Sequence, residues 1–336
     1  MDGLQRAGGR RRSRVGILTF DAVTVDATVG TWLEPFRHTL ADEGWIEGKN
    51  VALEYRSARS DPSRFAEAAA ELVRLKVDVI FAHSASAVRV AYAATRIIPI
   101  VGNDFVTDPV AEGYAESYSR PGGNVTGVFL DAPELAGKWF ELLRAMVPGL
   151  SRAVVLWDPI GGPTQLRAVQ SIARSIGIQL QIVEVHKPDD IDRAFSAFRG
   201  RPQALIILPS PMIYAQSEQL AKLAIKYRLP ATSMAREFAD AGGAVAYGPE
   251  RASAYRRGAV LVAKILGGAR PADLPVERPT KIQLIVNLKT THPHAMWISS
   301  AMAIRRLSLC SPYSAKSAPS RRTTASHLTP ILCESN

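Results

Sequence analysis

Two series of short apolar runs, each followed by an amphipathic stretch, restrict the fold of this chain more than any other feature. In the first series the runs begin near residues 14, 51, 77 and 97. Short β-branched and aliphatic runs are typical of buried strands, and apolar residues three or four positions apart indicate helices packed against them. The positions of Leu33, Phe36 and Leu40 show such a helical stripe. The first series therefore predicts parallel strands joined by crossover helices.

The second series repeats this pattern in the middle of the chain. Its runs begin near Ala153, Ile178, Ala204 and Leu229, at a spacing that suits a strand plus a helix. Two separate series predict two sheets, each covered by helices on both faces. We therefore expect an α/β protein with two doubly wound, Rossmann-like lobes.

Turn-rich segments separate the two series and indicate where the chain passes between the lobes. The first is Ser119 to Gly127, and the second is Ala241 to Gly248. A late helix that returns to the first lobe would leave two or three hinge strands, which permit opening and closing. The predicted division is a basic extension at 1–14, lobe 1 at 15–122 plus 245–275, lobe 2 with hinge strands at 123–244 plus 276–290, and an atypical tail at 291–336 that we expect to be disordered or frameshifted.

The formal charge of +10 lies at the ends of the chain and not in its body. Residues 1–14 and residues 291–336 each carry +4, which leaves 31 basic and 29 acidic residues between them. A nearly neutral body gives no basic face for phosphate groups. We therefore predict no nucleic-acid partner.

The sequence also lacks the signals of several other classes of protein. The apolar runs are far shorter than the roughly 18 residues that cross a bilayer. Cys310 and Cys333 are the only cysteines, so residues 1–290 contain no thiolate metal site and no cysteine nucleophile. No nucleophile elbow, Walker loop or zinc-protease motif is present. We predict no catalytic residues, no metal site and no cofactor.

Polar residues follow the predicted strands of the first lobe, where ligands bind in open α/β sheets. Phe20-Asp21 follows the first strand, and His83-Ser84-Ala85-Ser86 joins the third strand to a helix. The serine hydroxyls and the free N–H groups of that helix would suit a carboxylate. Ordinary capping of the helix by Ser84 is an equally good interpretation.

Acidic and hydroxyl residues follow the other strands in the same way. Asp104 to Asp108 comes after the fourth strand, while Asp158, Ser210 and Glu237 follow strands of the second lobe. For any one Asp a role in a turn is the more common explanation, but the shared position favours a site. Amide donors and carboxylates together would suit a zwitterionic ligand.

Several motifs resemble those of the ABC-transporter substrate-binding proteins with the type I periplasmic-binding-protein fold, in the tryptophan/tyrosine-type and largely uncharacterised branch. They span residues 15 to 290 in the order of that family. The matching stretches are Glu43-Gly-Trp-Ile-Glu-Gly-Lys-Asn-Val51, Val106-Thr-Asp-Pro109, Arg120-Pro-Gly-Gly-Asn-Val-Thr-Gly127, Ala241-Gly-Gly, Tyr247-Gly-Pro and Lys264-Ile-Leu-Gly-Gly-Ala-Arg-Pro-Ala-Asp-Leu-Pro275.

This resemblance implies the solute-binding component of an ABC-type importer. Such a protein captures a small molecule, here an amino acid or a related small acid, between its lobes and delivers it to a membrane permease. The resemblance implies a monomer that acts in the periplasm. The implied ligand-binding residues are Phe20, Asp21, Ser84, Ala85, Ser86, Thr107, Asp108, Asp158, Ser210 and Glu237.

The chain departs from the family pattern at both ends. Met1 to Arg14 has no apolar core of an export signal, so we expect either a missing leader or a cytoplasmic protein. The composition changes abruptly at Thr291, which suggests a shifted reading frame.

Two other functions remain open from the sequence. One is a cytosolic ligand sensor, which should carry a DNA-reading helix pair before residue 15 or after residue 290, and neither end offers one. The other is an α/β enzyme that uses His83 and Asp108, which would convert its bound molecule and not release it unchanged.

Overall fold

The computed structural model describes residues 12–20, 29–59, 61–130, 132–291 and 331–332. These residues form alternating strands and helices, as the sequence predicts. The strands are β1 (Ser13–Thr19), β2 (Val51–Ser57), β3 (Val79–His83), β4 (Ile100–Asp104), β5 (Val125–Phe129), β6 (Arg152–Trp157), β7 (Gln179–Glu184), β8 (Ala204–Ile207), β9 (Ala231–Ser233), β10 (Val245–Pro249), β11 (Ile282–Val286) and β12 (Ile331–Leu332).

The helices lie mostly between consecutive strands, and most of them connect two strands of one sheet. They are α1 (Val29–Asp42), α2 (Phe65–Arg74), α3 (Ala85–Ala94), α4 (Ala132–Met146), α5 (Thr164–Ser175), α6 (Asp190–Ser196), α7 (Pro211–Ala215), α8 (Ser217–Lys226), α9 (Arg236–Asp240), α10 (Arg251–Leu266) and α11 (Leu288–Thr291).

The chain divides into two compact units, each built around one sheet. Unit 1 comprises residues 1–104, 109–128 and 251–277, and unit 2 comprises residues 105–108, 129–250 and 278–336. The short segment 105–108 belongs to unit 2 although the residues on both sides of it belong to unit 1. Elsewhere the chain passes from one unit to the other after residues 128, 250 and 277. Two α/β units with separate sheets confirm the predicted fold class.

The sheet of unit 1 has the strand order β2-β1-β3-β4-β5. Strand β1 pairs in parallel with β2 and β3, and β3 pairs in parallel with β4. Helices α1 and α10 cover one face of this sheet, where Phe36, Phe81 and Tyr255 belong to one buried cluster. Helix α2 covers the other face, because the α-carbon of Gly16 lies against the Leu72 side chain. Helices on both faces explain why these strands are continuously apolar.

The sheet of unit 2 has the order β12-β11-β10-β9-β8-β6-β7. Its pairs are parallel except for β10 with β11, which is antiparallel. A buried cluster that includes Leu205, Phe195 and Phe238 packs on this sheet. The indole N–H of Trp139 on α4 donates a hydrogen bond to the Tyr247 carbonyl oxygen at 3.0 Å, which ties α4 to β10.

The unit boundaries differ from the predicted lobes at two strands. Residues 125–128 were assigned to lobe 2, whereas β5 completes the edge of the first sheet. Residues 245–250 were assigned to lobe 1, whereas β10 pairs with β9 and β11 in the second sheet. Each of these strands pairs with the strand that precedes it in sequence, β5 with β4 and β10 with β9. The predicted extension and tail lie outside the described residues except for 12–14, Thr291 and β12.

We predict that Gly127→Ala destabilises unit 1 by more than about 2 kcal/mol. Gly127 has a φ of +145°, and an added Cβ would lie 2.1 Å from the Gly102 carbonyl oxygen. Such a clash, together with a backbone angle that L residues rarely adopt, is costly. Urea unfolding, monitored by circular dichroism, measures the change in the free energy of unfolding.

Gly137→Ala in α4 is the control, because its added Cβ would meet only Ile172 at 4.0 Å. Alanine is favoured over glycine inside a helix by up to about 1 kcal/mol, so this variant should be as stable as the wild type or more stable. Equal midpoints for Gly127→Ala and the wild type would contradict the strand packing described here.

Candidate functional site

The carboxyl ends of β1, β3 and β4 lie side by side at one edge of the unit 1 sheet. This edge brings together the predicted residues Phe20, Ser84, Ala85 and Ser86. Phe20 is buried and packs edge-to-face on Phe65 with ring centroids 5.7 Å apart, so it forms an apolar wall there. Asp21 lies outside the described residues.

Ser84 forms the turn between β3 and α3. Its hydroxyl oxygen accepts a hydrogen bond from the Ala87 N–H at 3.3 Å and lies 3.0 Å from the Ser86 hydroxyl. The capping interpretation of Ser84 is therefore present in the structure. Ser84 also has a φ of +112°, which is unfavourable for a residue with a side chain. Strain of this kind is concentrated at ligand sites, so capping and ligand binding are compatible here.

His83 ends β3 and contacts a tyrosine that the sequence analysis did not select. The Tyr255 hydroxyl on α10 lies 2.9 Å from Nδ1 and 3.0 Å from Nε2 of His83. Burial of the imidazole, with the Arg251 charge as a second cause, lowers the pKa of His83 to about 3. The ring is therefore neutral at physiological pH. Tyr255 lies 172 residues away in sequence, so only the packing of α10 on the sheet reveals this pair.

Asn103 is a second residue of this edge that the sequence analysis missed. Asn103 precedes the Asp104 to Asp108 segment and is 2% exposed. Neither amide atom of its side chain has a hydrogen-bond partner among the described residues. The sequence signal that could have indicated this site is the presence of a polar residue, Asn103, close after the apolar run Ile100 to Val101.

In unit 2 the ends of the adjacent strands β6 and β8 bring together Asp158 and Ser210. Asp158 is 5% exposed, and its carboxylate accepts hydrogen bonds from the Ile160 N–H at 3.0 Å and from the Ser210 hydroxyl. Burial raises the pKa of Asp158, and these two hydrogen bonds oppose the rise. Ser210 also caps α7 through the Ile213 N–H at 3.1 Å.

Thr107 and Asp108 follow β4 but belong to unit 2. Thr107 is buried, and Asp108 is partly exposed. The segment is tied to α5, because the Gln165 side-chain N–H donates to the Phe105 carbonyl oxygen at 3.2 Å. The side-chain oxygen of Gln165 is buried without a partner among the described residues. Sequence reasoning missed Gln165 because its helix reads as an ordinary apolar stripe.

Glu237 is placed apart from the pair of Asp158 and Ser210. It is exposed on α9 and lines an open depression together with Tyr214, Glu218, Lys222 and Asp240 of the neighbouring helices. Following a strand in sequence does not determine where a side chain points, because α9 begins within three residues of the end of β9. The structure therefore does not group Glu237 with the other predicted residues of unit 2.

The described residues contain no group of three or more His, Cys, Asp or Glu side chains that could hold a metal ion. Among the same residues, every helix is too short or too polar to cross a membrane.

Comparison with known proteins identifies the family. A family model described as "ABC transporter substrate binding protein" matches residues 23–305 and continues beyond Thr291, where the predicted tail begins. The chain belongs to this family. The family consists of substrate-binding proteins, which typically act outside the cytoplasm.

Individual relatives agree with this assignment. A tyrosine-binding protein of Clostridioides difficile is 25% identical over 259 residues, which cover 76% of this chain and 74% of the relative. A conserved domain protein of Vibrio cholerae has a TM-score of 0.74 at 23% identity, covering 85% of this chain and 95% of that one. An ABC domain of Streptococcus pneumoniae in complex with L-Trp has a TM-score of 0.74 at 20% identity, covering 84% and 95%. The fold is that of the type I periplasmic binding proteins.

We predict that His83 makes the stability of the protein depend on pH below pH 6.5. Its pKa is about 3 in the folded state against 6.5 in the unfolded state. The unfolded state therefore binds a proton first as the pH falls, and the stability that is fully present above pH 6.5 is lost through the window from 6.5 to 3. The slope contributed by His83 is about 1.4 kcal/mol per pH unit.

Urea unfolding of the wild type and His83→Gln between pH 7.5 and 5 measures this slope as a difference. Glutamine keeps a hydrogen-bonding group near Tyr255 but does not titrate. His38→Gln is the matched control, because the His38 side chain is 79% exposed. Parallel pH profiles for the wild type and His83→Gln would show that His83 is not buried as described.

Proposed function

We propose that this protein is the solute-binding component of an ABC-type importer and captures an amino acid or a related small acid. The ligand binds at the carboxyl ends of the strands, where ligands bind in open α/β sheets. The observation that carries this proposal is the pair of Asp158 and Ser210, because it places a buried carboxylate at the end of a strand, where it accepts hydrogen bonds from the Ile160 N–H and the Ser210 hydroxyl. Family membership supports the same function.

The chemistry of the two edges suits the two charged ends of an amino acid. In unit 1, the Ser84 and Ser86 hydroxyls stand at the first turn of the ten-residue helix α3, whose N–H groups favour a carboxylate. In unit 2, Asp158 is a carboxylate whose pKa burial raises. A ligand ammonium group would supply the opposite charge that favours the ionised form.

The names of the relatives suggest which amino acids to test first. The Clostridioides relative is named for tyrosine, and the Streptococcus structure contains L-Trp. We therefore propose an aromatic amino acid as the leading ligand class.

The remaining parts of the proposal follow from the function. The partner is a membrane permease that accepts the loaded protein, and the protein acts as a monomer in the periplasm. We expect no nucleic-acid partner, since residues 15 to 290 are nearly neutral by count.

We predict that a thermal-shift screen of the twenty amino acids, small aromatic acids and sugars will find one stabilising class, with L-tyrosine or L-tryptophan in it. A ligand present at 100 times its dissociation constant adds about 2.7 kcal/mol to the free energy of unfolding. Isothermal titration calorimetry then measures the affinity.

Mass spectrometry of the ligand after release distinguishes binding from catalysis. A binding protein returns the ligand unchanged, whereas conversion of the ligand would overturn the proposal in favour of an enzyme. Stabilisation by sugars alone would retain a solute-binding function and contradict the amino-acid class.

We predict that Asp158→Asn weakens amino-acid binding by about 10- to 100-fold at pH 7, because the ligand ammonium loses a charged acceptor. The same change should stabilise the ligand-free protein at pH 7, since burial disfavours the ionised carboxylate and raises the pKa of Asp158. The gain should disappear at acidic pH, where the carboxyl group is protonated in the folded state.

Calorimetry and urea unfolding on the same samples separate the two effects. Asp240→Asn is the control, because Asp240 is exposed and paired with Arg236 at 3.0 Å. Unchanged affinity of Asp158→Asn for the ligand found in the screen would remove Asp158 from the binding site.

A further inference from the structure

Three adjacent strands of unit 1 place a polar residue at the same level of the sheet. His83 of β3 is the register partner of Asn103 of β4. Leu18 of β1 is the register partner of Ala82, so Thr19 lies beside His83 one step further along. These three residues, together with Tyr255 that contacts His83, form a set that we call the polar row.

The side chains of the polar row lie on the face of the sheet that α1 and α10 cover. Ile17, Phe81 and Val101 each precede a row residue by two positions and belong to the buried cluster that contains Tyr255. Side chains alternate between the faces of a sheet with a period of two, so the row continues this apolar face to the strand ends. The core thus ends in polar groups where ligands bind in such sheets.

Asn103 is the member of the row whose hydrogen bonding is incomplete. The residue is 2% exposed, yet its Oδ1 and Nδ2 both lack partners among the described residues. A buried polar group without a partner is unfavourable and is rare in native proteins. A bound group that satisfies this side chain must donate a hydrogen bond to Oδ1 and accept one from Nδ2.

The surroundings of Asn103 define the charge that such a group can carry. The Ser84 N–H donates to the Asn103 carbonyl oxygen at 3.1 Å, which places Asn103 next to the turn that begins α3. His83 is neutral, and Arg251 is near enough to affect its pKa. Asp104 follows Asn103 directly and faces the other side of β4, where it interacts with Tyr114. A negative group therefore finds favourable partners at α3 and at the Arg251 charge.

The edge of the sheet is partly exposed beside the polar row. His83 and Ser84 are partly exposed, whereas Thr19 and Asn103 beside them are buried. A head group that binds at this edge would therefore approach the Asn103 amide from the side of His83 and Ser84.

We propose that Asn103 binds the head group of the amino-acid ligand, with Oδ1 accepting from the α-ammonium and Nδ2 donating to the α-carboxylate. This inference rests on the proposed function and deepens it, because it adds one buried amide of unit 1 to the groups that recognise the two charged ends of the ligand.

The test uses L-tyrosine and two analogues, tyramine without the carboxylate and 3-(4-hydroxyphenyl)propionate without the amine. If L-tryptophan binds more tightly in the screen, then tryptophan, tryptamine and indole-3-propionate replace them. Calorimetry measures each probe against the wild type, Asn103→Leu and Asn103→Ala. Leucine fills a similar volume without polar atoms, so Asn103→Leu should remain folded with equal or greater stability.

We expect Asn103→Leu to lose about 10- to 100-fold in affinity for the amino acid, since two hydrogen bonds to charged groups disappear. The loss should be smaller for each analogue, because each can make only one of the two bonds. Asn50→Ala is the control, as it removes an exposed asparagine whose amide donates to the Gly44 carbonyl oxygen at 2.8 Å in a turn before β2.

Two results overturn the inference and can be told apart. If Asn103→Leu binds the amino acid as tightly as the wild type does, or loses affinity equally for all three probes, then Asn103 does not recognise the head group. The proposed function would remain intact in either case. Failure of the wild type to bind any amino acid would overturn the ligand class as well, whatever the variants do.

Discussion

Parallel pairing of β1, β3 and β4 is the constraint on which the arrangement of unit 1 depends. In a parallel sheet the carboxyl ends of all strands reach the same edge, so the residues that follow each strand become neighbours although they are distant in sequence. The register of His83 with Asn103 aligns the row, and the hydrogen bond from the Ser84 N–H to the Asn103 carbonyl oxygen joins it to the first turn of α3. A change of register by one residue would turn these polar side chains to the opposite face of the sheet.

Each unit places locally unfavourable groups at the carboxyl edge of its own sheet, but the chemistry of the groups differs between the two units. Unit 1 carries the strained backbone of Ser84, a neutral His83 and the buried amide of Asn103. Unit 2 carries Asp158, a buried carboxylate whose pKa burial raises. The apolar interior of each sheet stabilises the fold enough to tolerate these groups, which is the usual relation between a rigid scaffold and a binding site.

The sequence predicted the fold class well, because the strands are buried on both faces and therefore appear as apolar runs of the expected length and spacing. It predicted the sheet membership of β5 and β10 less well. Both follow glycine-rich segments that indicate a passage to the other lobe, yet each strand remains in the sheet of the strand that precedes it, β5 beside β4 and β10 beside β9. Among the site residues, Ser84 to Ser86, Asp158 and Ser210 lie at sheet edges as predicted. Glu237 instead faces a surface depression, because α9 begins within a few residues of β9 and turns its side chain outward.

The sequence by itself determined the alternation of strands and helices, the division into two sheets and the polar residues that follow the strands. Each of these depends on the spacing of apolar and polar residues that are close together in the sequence. Only the tertiary structure decided which of those residues meet. The contact of Tyr255 with His83 requires α10 to return to the first sheet, and the isolation of the Asn103 amide requires the burial of its neighbours on both adjacent elements. Contacts of this kind depend on long-range packing, which no local pattern of residues encodes.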